Sequence, residues 1–335
     1  MDRRRTGVVL PPLVDGGVML SYRCTNACRH CLYRCSPAQP DVWMGLETAD
    51  RVFAALAREP HLQTVHLAGG EPTLRMDLLV EVIRLARRRG VRLSYVETNA
   101  HWCVDLESAR EGMRRLKDAG LPGILVSVSM FHNEFVPFRH TRNAVEAARE
   151  VFGPARTVLY LPHLYEILDR MPDDGRHSLA EFCRWAGIEG RPEVLARLYG
   201  VIPAGRAAEA LRDCWPARPA EAYRGRDCFA DLMGTTHFHV DPEGRLFTGL
   251  CAGLAPATVE DLHPVVAPET HPVFHRLMEE GPCGLMDLAA ERHGYRERPG
   301  GYVSPCDLCQ DVRAHLVRAG GYPELQPGSF YGIPG

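Results

Sequence analysis

Three cysteines crowd into eight residues, Cys24-Thr-Asn-Ala-Cys28-Arg-His-Cys31, spaced Cys-x3-Cys-x2-Cys. Thiolates ligate soft metals and iron–sulfur clusters. In a cubane cluster, three closely spaced thiolates hold three of the irons and leave the fourth free to bind something else. A zinc site instead pairs Cys-x2-Cys with a second pair of ligands to close a tetrahedron. No such pair follows here at a suitable spacing, unless His30 or Cys35 serves as the fourth ligand.

The elements around this stretch alternate. Val18 to Tyr22 is a short apolar run leading straight into the cysteine loop. Strand-like runs then recur at Thr64–Ala68, Val91–Glu97, Gly123–Ser129, Arg156–Leu161 and Leu198–Ile202. Helical stretches lie between and after them, at 47–58, 77–89, 106–119 and 141–152, with short ones at 179–186, 192–198 and 206–211. Gly90, Gly120 and Gly153-Pro154 supply stops. The pattern predicts six β/α units around a parallel sheet. An eight-fold barrel needs about 250 residues, more than these units span. The expected fold is therefore α/β, a partial (β/α)6 barrel over 17–225 with a 1–16 extension before it. Such folds carry chemistry on loops at the C-terminal ends of strands, where the cysteine loop falls.

From about Arg226 the helical period fades, and Gly, Pro, His and Cys become frequent. Asp241-Pro-Glu-Gly244 between two alternating runs reads as a hairpin turn. A small cysteine-rich domain is expected over 226–335. Composition excludes some partners. A net charge of −3 gives no case for nucleic acid or an anionic membrane. The opening Met-Asp-Arg-Arg-Arg is followed by no long apolar run, so no signal peptide or membrane span is expected. Twelve cysteines without an export signal point to a reducing compartment, read as the cytoplasm, and to metal ligation over disulfides.

Several other groups have chemical potential. Gly69-Gly70-Glu71-Pro72 closes the second strand, where glycines let backbone approach a ligand and a carboxylate can accept from an ammonium. Thr98-Asn99, Ser127 and Ser129 end strands three and four, as strand caps or ligand contacts. His132 and Glu134 follow strand four as candidate substrate contacts, or as ordinary loop residues. Tyr95, Glu97, His101, Trp102 and His163 share that ambiguity. Arg206 follows Gly200-Val-Ile-Pro-Ala-Gly205, either to meet an anion or as a surface arginine.

The cysteine spacing, with Gly69–Pro72 downstream of it, resembles the radical S-adenosylmethionine (radical SAM) superfamily. That resemblance implies a [4Fe–4S] cluster on Cys24, Cys28 and Cys31 whose open iron chelates the amino and carboxylate groups of SAM. The reduced cluster would cleave the sulfonium to a 5′-deoxyadenosyl radical. It implies His30 against the adenine, and Gly69, Gly70, Glu71 and Pro72 at the SAM amino group. Asn99, Ser127 and Ser129 would sit near the ribose or carboxylate. The Gly200–Gly205 run would be the strand cradling adenine, and Arg206 would meet the SAM carboxylate or a substrate anion.

Cys228, Cys251 after 22 residues, then Cys306-Asp-Leu-Cys309 after 54 more, resemble the auxiliary-cluster domain called twitch, a shortened SPASM domain. Four thiolates there would close a second, auxiliary [4Fe–4S] cluster, or a zinc site. Cys251 is the least secure ligand and Cys283 its substitute. Among the spare thiols, Cys103 and Cys283 are candidate hydrogen-atom donors.

The expected activity is radical SAM abstraction of a hydrogen atom from a small polar substrate of sugar, aminoglycoside or nucleoside type. Oxidation is preferred over epimerisation, and a flavodoxin or ferredoxin would be the reductant. Only about 23 residues precede the cysteines, so no leader-binding domain is expected. The alternatives are a peptide or protein maturase and, outside enzymes, an iron–sulfur electron-transfer protein, which would have no use for Gly69–Pro72.

Overall fold

The computed structural model describes residues 7–333; the basic opening Met1–Arg5 lies outside them. In chain order the elements begin with β1 (Val8–Val9), β2 (Asp15–Met19), α1 (Leu46–Leu56), β3 (Thr64–Ala68), α2 (Met76–Arg88), β4 (Leu93–Thr98) and α3 (Leu106–Ala119). Next come β5 (Ile124–Ser127), α4 (Met130–Asn133), α5 (Phe138–Phe152), β6 (Thr157–Tyr160), α6 (Pro162–Asp169), α7 (Leu179–Trp185), α8 (Pro192–Tyr199) and α9 (Ala207–Ala210). The chain continues with α10 (Phe229–Leu232), β7 (Phe238–Val240), β8 (Arg245–Phe247), β9 (Ala257–Thr258), β10 (Val265–Val266), α11 (Pro272–His293) and α12 (Pro305–Ala319).

Strands β6-β5-β4-β3-β2-β7-β8-β9 form one eight-stranded sheet. Pairing is parallel from β6 through β7 and antiparallel for β8 and β9. The result is a mixed α/β fold on an open partial barrel, as the alternating pattern predicts. The sixth parallel strand is not the expected one. Leu198–Ile202 is the end of α8 and a loop, because Gly200 turns left-handed (φ 74°) and caps that helix. Its place is taken by β7, which lies beside β2 with Gly16 opposite Phe238 and Val18 opposite Val240. The sheet thus runs across the 225/226 boundary.

Period-two alternation sorts the strand residues onto two faces. Val18, Val65, Leu67, Val96, Ile124 and Val126 face outward and are fully buried against Val52 and Phe53 of α1, Leu79 and Ile83 of α2, and Met113 of α3. Each helix earns that position by its apolar stripe. α3 is also well bounded: the Asp105 carboxylate accepts from Ser108 N at 2.8 Å, and Gly120 ends it left-handed.

The stretch after 226 is more helical than its sequence reads. α11 kinks at Gly281 (φ 65°), where a Cβ would lie 1.7 Å from the Arg226 carbonyl oxygen. It is buried on several sides, which erases the one-sided stripe. Among the described residues no helix is long and apolar enough to cross a membrane.

Candidate active site

The inward face of the sheet is polar. Gly17, His66, Tyr95, Glu97, Leu125, Ser127 and His239 alternate with the outward residues of β2, β3, β4, β5 and β7. Above them the loop after β2 carries the three cysteines. With this loop, Tyr95, Glu97, Leu125, Ser127 and His239 of the inward face enclose a cavity of about 540 Å³, within the range of small-molecule sites. Cys24, Cys28, His30, Cys31, Gly69, Gly70, Glu71, Asn99, Ser127 and His132 all line it, as the motifs predict. So do Tyr95 and Glu97.

The cysteine loop is tied into the fold from several directions. Asn26 N donates to Cys24 Sγ at 3.3 Å, and Asn99 Nδ2 reaches the same sulfur at 3.6 Å. Burial, then Glu71, pushes the Cys24 thiol up to about 12, and burial likewise raises Cys28. Cys31 goes the other way, to about 6, chiefly because the neighbouring Cys35 thiol hydrogen-bonds to it. Gly69 and Gly70 pack against this loop: a Cβ on Gly70 would lie 1.9 Å from the Arg23 carbonyl oxygen. Any side chain there would push the loop away from β3.

Glu71 is 1% exposed, and its carboxylate binds four donors. Oε1 accepts from Thr73 N, Thr73 Oγ1 and Thr98 Oγ1 at 3.2, 2.6 and 2.9 Å, and Oε2 accepts from Asn99 N at 2.7 Å. Its main work is to join the ends of β3 and β4. Oε2, with one donor, keeps acceptor capacity toward the cavity.

Six expected contacts take other roles. Arg206 does not line the cavity. Its guanidinium donates to Cys28 O and Cys35 O at 2.7 and 2.8 Å, clamping the cysteine loop. Arg206→Ala is expected to lower iron retention by the loop on dilution and gel filtration severalfold while the fold persists; an unchanged iron content would refute the clamp. Glu134 pairs with Arg29 of the same loop at 3.1 Å. Ser129 is fully buried and caps α4, with Oγ 2.8 Å from His132 Nδ1. Pro72 is buried at the start of a 3-10 turn, Pro72–Arg75, outside the lining. Cys103 is fully buried in the outward apolar layer, and Cys283 donates to Ala220 O at 3.2 Å within α11. Neither thiol reaches the cavity, so neither is placed as a hydrogen donor there. Of the other ambiguous residues, His163 is exposed and bonds Leu198 O at 2.9 Å.

Sequence reasoning passed over the histidines of the barrel wall. His66, His237 and His239 cluster with centroids 4.8–5.9 Å apart; His66 stacks on His237 while His239 meets both edge-on, and His66 also stacks on Tyr95 at 5.2 Å. His239 Nδ1 lies 2.8 Å from Tyr33 Oη. Gly17 makes their room, since a Cβ there would be 2.5 Å from His66 Nε2. The available signal was a histidine at an inward position of otherwise apolar strands.

Buried polar atoms without partners mark where a ligand fits. Among the described residues His30 Nδ1 has none and Asn26 Nδ2 has only the Cys28 thiol beside it, and both residues line the cavity. The His30 ring packs on Phe131 and Tyr199 at 5.0 and 4.4 Å. Three thiols and a flat aromatic wall suit a cluster with SAM beside it.

The other four thiols also converge. Cys228 precedes α10, Cys251 follows β8, and Cys306 and Cys309 share one face of the first turns of α12. Burial raises all four, Cys251 to about 12 and Cys306 to about 11. The other three thiols add to the rise at Cys228; Cys306 and Cys309 add to that at Cys251, and Cys309 to that at Cys306. Arg313, one turn beyond Cys309, is 5% exposed; it donates to Ala252 O at 3.0 Å and faces the Cys309 thiol, and its Nε has no partner among the described residues. Among the described residues no carboxylate pairs with it, and Cys251, Cys306 and Cys309 are the sulfurs in electrostatic reach. A buried guanidinium cannot shed its proton and needs a counter-charge. Metal-bound thiolates would supply one. Among the described residues no three such side chains are drawn in around a single metal ion.

Comparison with known proteins places the chemistry. Residues 18–171 match the family model of the radical SAM superfamily. The chain is 32% identical over 255 residues to a probable GTP 3′,8-cyclase of Sulfolobus acidocaldarius, covering 75% of this chain and 72% of that protein. It is 28% identical over 200 residues to the GTP 3′,8-cyclase of Pectobacterium atrosepticum, covering 56% of this chain and 55% of that one. A solved structure of BtrN in complex with AdoMet and 2-DOIA aligns with 83% of this chain and 92% of its own at 13% identity and a TM-score of 0.45. With the motif thiols, the Gly69–Glu71 wall and a relative at this identity over most of both chains, the protein belongs to the radical SAM superfamily.

Proposed function

We propose that this radical SAM enzyme oxidises a small polar substrate without strong negative charge, of sugar, aminoglycoside or nucleoside type. One observation carries the choice of substrate: among the described residues lining the cavity there is no arginine or lysine. Polyphosphates are gripped by guanidinium and ammonium groups, and nothing on this wall replaces them. The GTP cyclases are therefore read as relatives in cofactor chemistry rather than in substrate.

Bound SAM and its cluster would supply a carbon radical that removes a hydrogen atom from the substrate. The residues of this chain do the holding. Cys24, Cys28 and Cys31 would ligate the cluster, and Asn26, His30, Gly69, Gly70, Glu71, Asn99, Ser127 and Gly200 would bind SAM. Cys228, Cys251, Cys306 and Cys309, in a twitch-like 226–335 region, would hold an auxiliary cluster with Arg313 as counter-charge. Oxidation is favoured over epimerisation because the candidate donors Cys103 and Cys283 stand away from the cavity, and the spare thiol that does line it, Cys35, is hydrogen-bonded to Cys31. The reading carries with it a reducing, cytoplasmic setting and a flavodoxin- or ferredoxin-type reductant.

The test is anaerobic turnover of the reconstituted protein with SAM and dithionite. 5′-Deoxyadenosine is expected from SAM alone, with faster formation and deuterium incorporation when a deuterated sugar, aminoglycoside or nucleoside fits. Deuterium arriving from GTP or from a peptide, and from none of these, would overturn the substrate class.

A further inference from the structure

Two carboxylates line the cavity, and they differ in one respect. Glu71 is committed to four donors, whereas Glu97 has no hydrogen-bond donor among the described residues. Glu97 projects from β4 beside Tyr95, and its side chain is 38% exposed, opening onto the cavity. Its nearest basic neighbour is His66 Nε2 at 3.7 Å. A carboxylate inside a barrel without a cation beside it calls for a cation from elsewhere.

We propose that Glu97, with Tyr95, His237 and His239, forms the substrate subsite of the cavity and takes an ammonium group carried on a hydroxylated ring, the chemistry of an amino sugar. This rests on the reading of the protein as an enzyme for a small polar substrate and narrows it. Glu97 binds the charge; imidazole and phenol groups, which donate and accept, bind hydroxyls. The histidines do not supply the charge themselves. Burial holds His66 down to about 4 and lowers His237 and His239, so all three are neutral at pH 7. Burial pushes Glu97 up to about 7, with His237 opposing and Glu71 adding. The groups facing it are His66 from β3, Glu71 beyond β3, Tyr95 from β4, His237 beside β7, Tyr33 from the cysteine loop and Tyr199 from α8. Ammonium binding should therefore strengthen as pH rises through about 7 and Glu97 ionises.

The experiment is anaerobic titration calorimetry on the cluster-loaded, SAM-bound enzyme with neamine, fully N-acetylated neamine and GTP. Wild type is expected to bind neamine ~10-fold or more tightly than the acetylated form, the worth of one charge-assisted hydrogen bond. Glu97→Gln should erase that preference with SAM affinity unchanged, and Glu97→Asp should keep part of it. The proposal is overturned if neamine does not bind, if GTP binds more tightly, or if Glu97→Gln keeps the preference. Should Glu97→Gln not fold, the wild-type profile decides: neamine affinity flat through pH 7 overturns it. A wild-type protein that makes no 5′-deoxyadenosine fails the enzyme reading instead; one that makes it but ignores the ammonium fails the subsite alone.

Discussion

Replacing Cys24, Cys28 and Cys31 together with alanine is expected to abolish 5′-deoxyadenosine formation and to leave about half the iron. The two thiol sets are built from separate parts of the chain, so one should survive loss of the other. Two cubanes predict about eight irons and eight sulfides per wild-type chain after anaerobic reconstitution, and about four of each in the triple variant. The loss of activity should be complete, because no other three cysteines flank Asn26 Nδ2 and the orphaned His30 Nδ1. Iron analysis and product assay read the two effects separately. A variant with no iron at all would refute the auxiliary cluster. Stoichiometric zinc beside four irons in wild type would convert the Cys228, Cys251, Cys306 and Cys309 site into a structural one.

Glu71→Ala should cost more in stability than a ligand contact alone would. Removing the carboxylate strands two backbone N–H groups, of Thr73 and Asn99, and two hydroxyls in a dry environment. Each buried donor left unsatisfied costs about 1–3 kcal/mol, so the total loss should reach several kcal/mol. The denaturation midpoint of the metal-free protein, measured without SAM, should fall accordingly. SAM affinity should fall too, because Asn99 loses its anchor and bonds Thr25 and Cys24 of the cysteine loop. Glu71→Gln keeps the shape but offers one acceptor oxygen in place of two, so it should fall between. Unchanged stability with weakened SAM binding would mean that Glu71 acts on the ligand alone.

What could be read in the chain followed from local rules. β3 falls at Thr64–Ala68 and α3 at Leu106–Ala119, where apolar period and a terminal glycine agree. The cysteine loop and Gly69–Glu71 meet because both follow neighbouring parallel strands. Misses came where distant partners decide. Leu198–Ile202 is as apolar as a strand, yet register along β2 goes to Phe238–Val240. α11 hides behind the Gly281 kink and burial on several sides. Arg206, Glu134 and Ser129 have the chemistry of ligand contacts, and only coordinates show their polar atoms already committed to backbone carbonyls, Arg29 and a helix cap. The barrel-wall histidines belong to β3 and to β7 with its preceding residue, and their shared facing is visible only once the inward side of the sheet is known.

The parallel pairing of β2 with β7 has a consequence for how the molecule comes into being. The strand that presents the first thiol set is hydrogen-bonded to a segment more than two hundred residues later in the chain. Contacts of such long separation are slow to form, since loop closure must precede any gain from pairing. Until β7 arrives, one edge of β2 stays open, a template for intermolecular association. During synthesis the N-terminal half therefore waits, its cysteine loop attached to an unfinished sheet, for the C-terminal half to leave the ribosome. The open edge of β2 is therefore most in need of protection in the interval before β7 pairs with it.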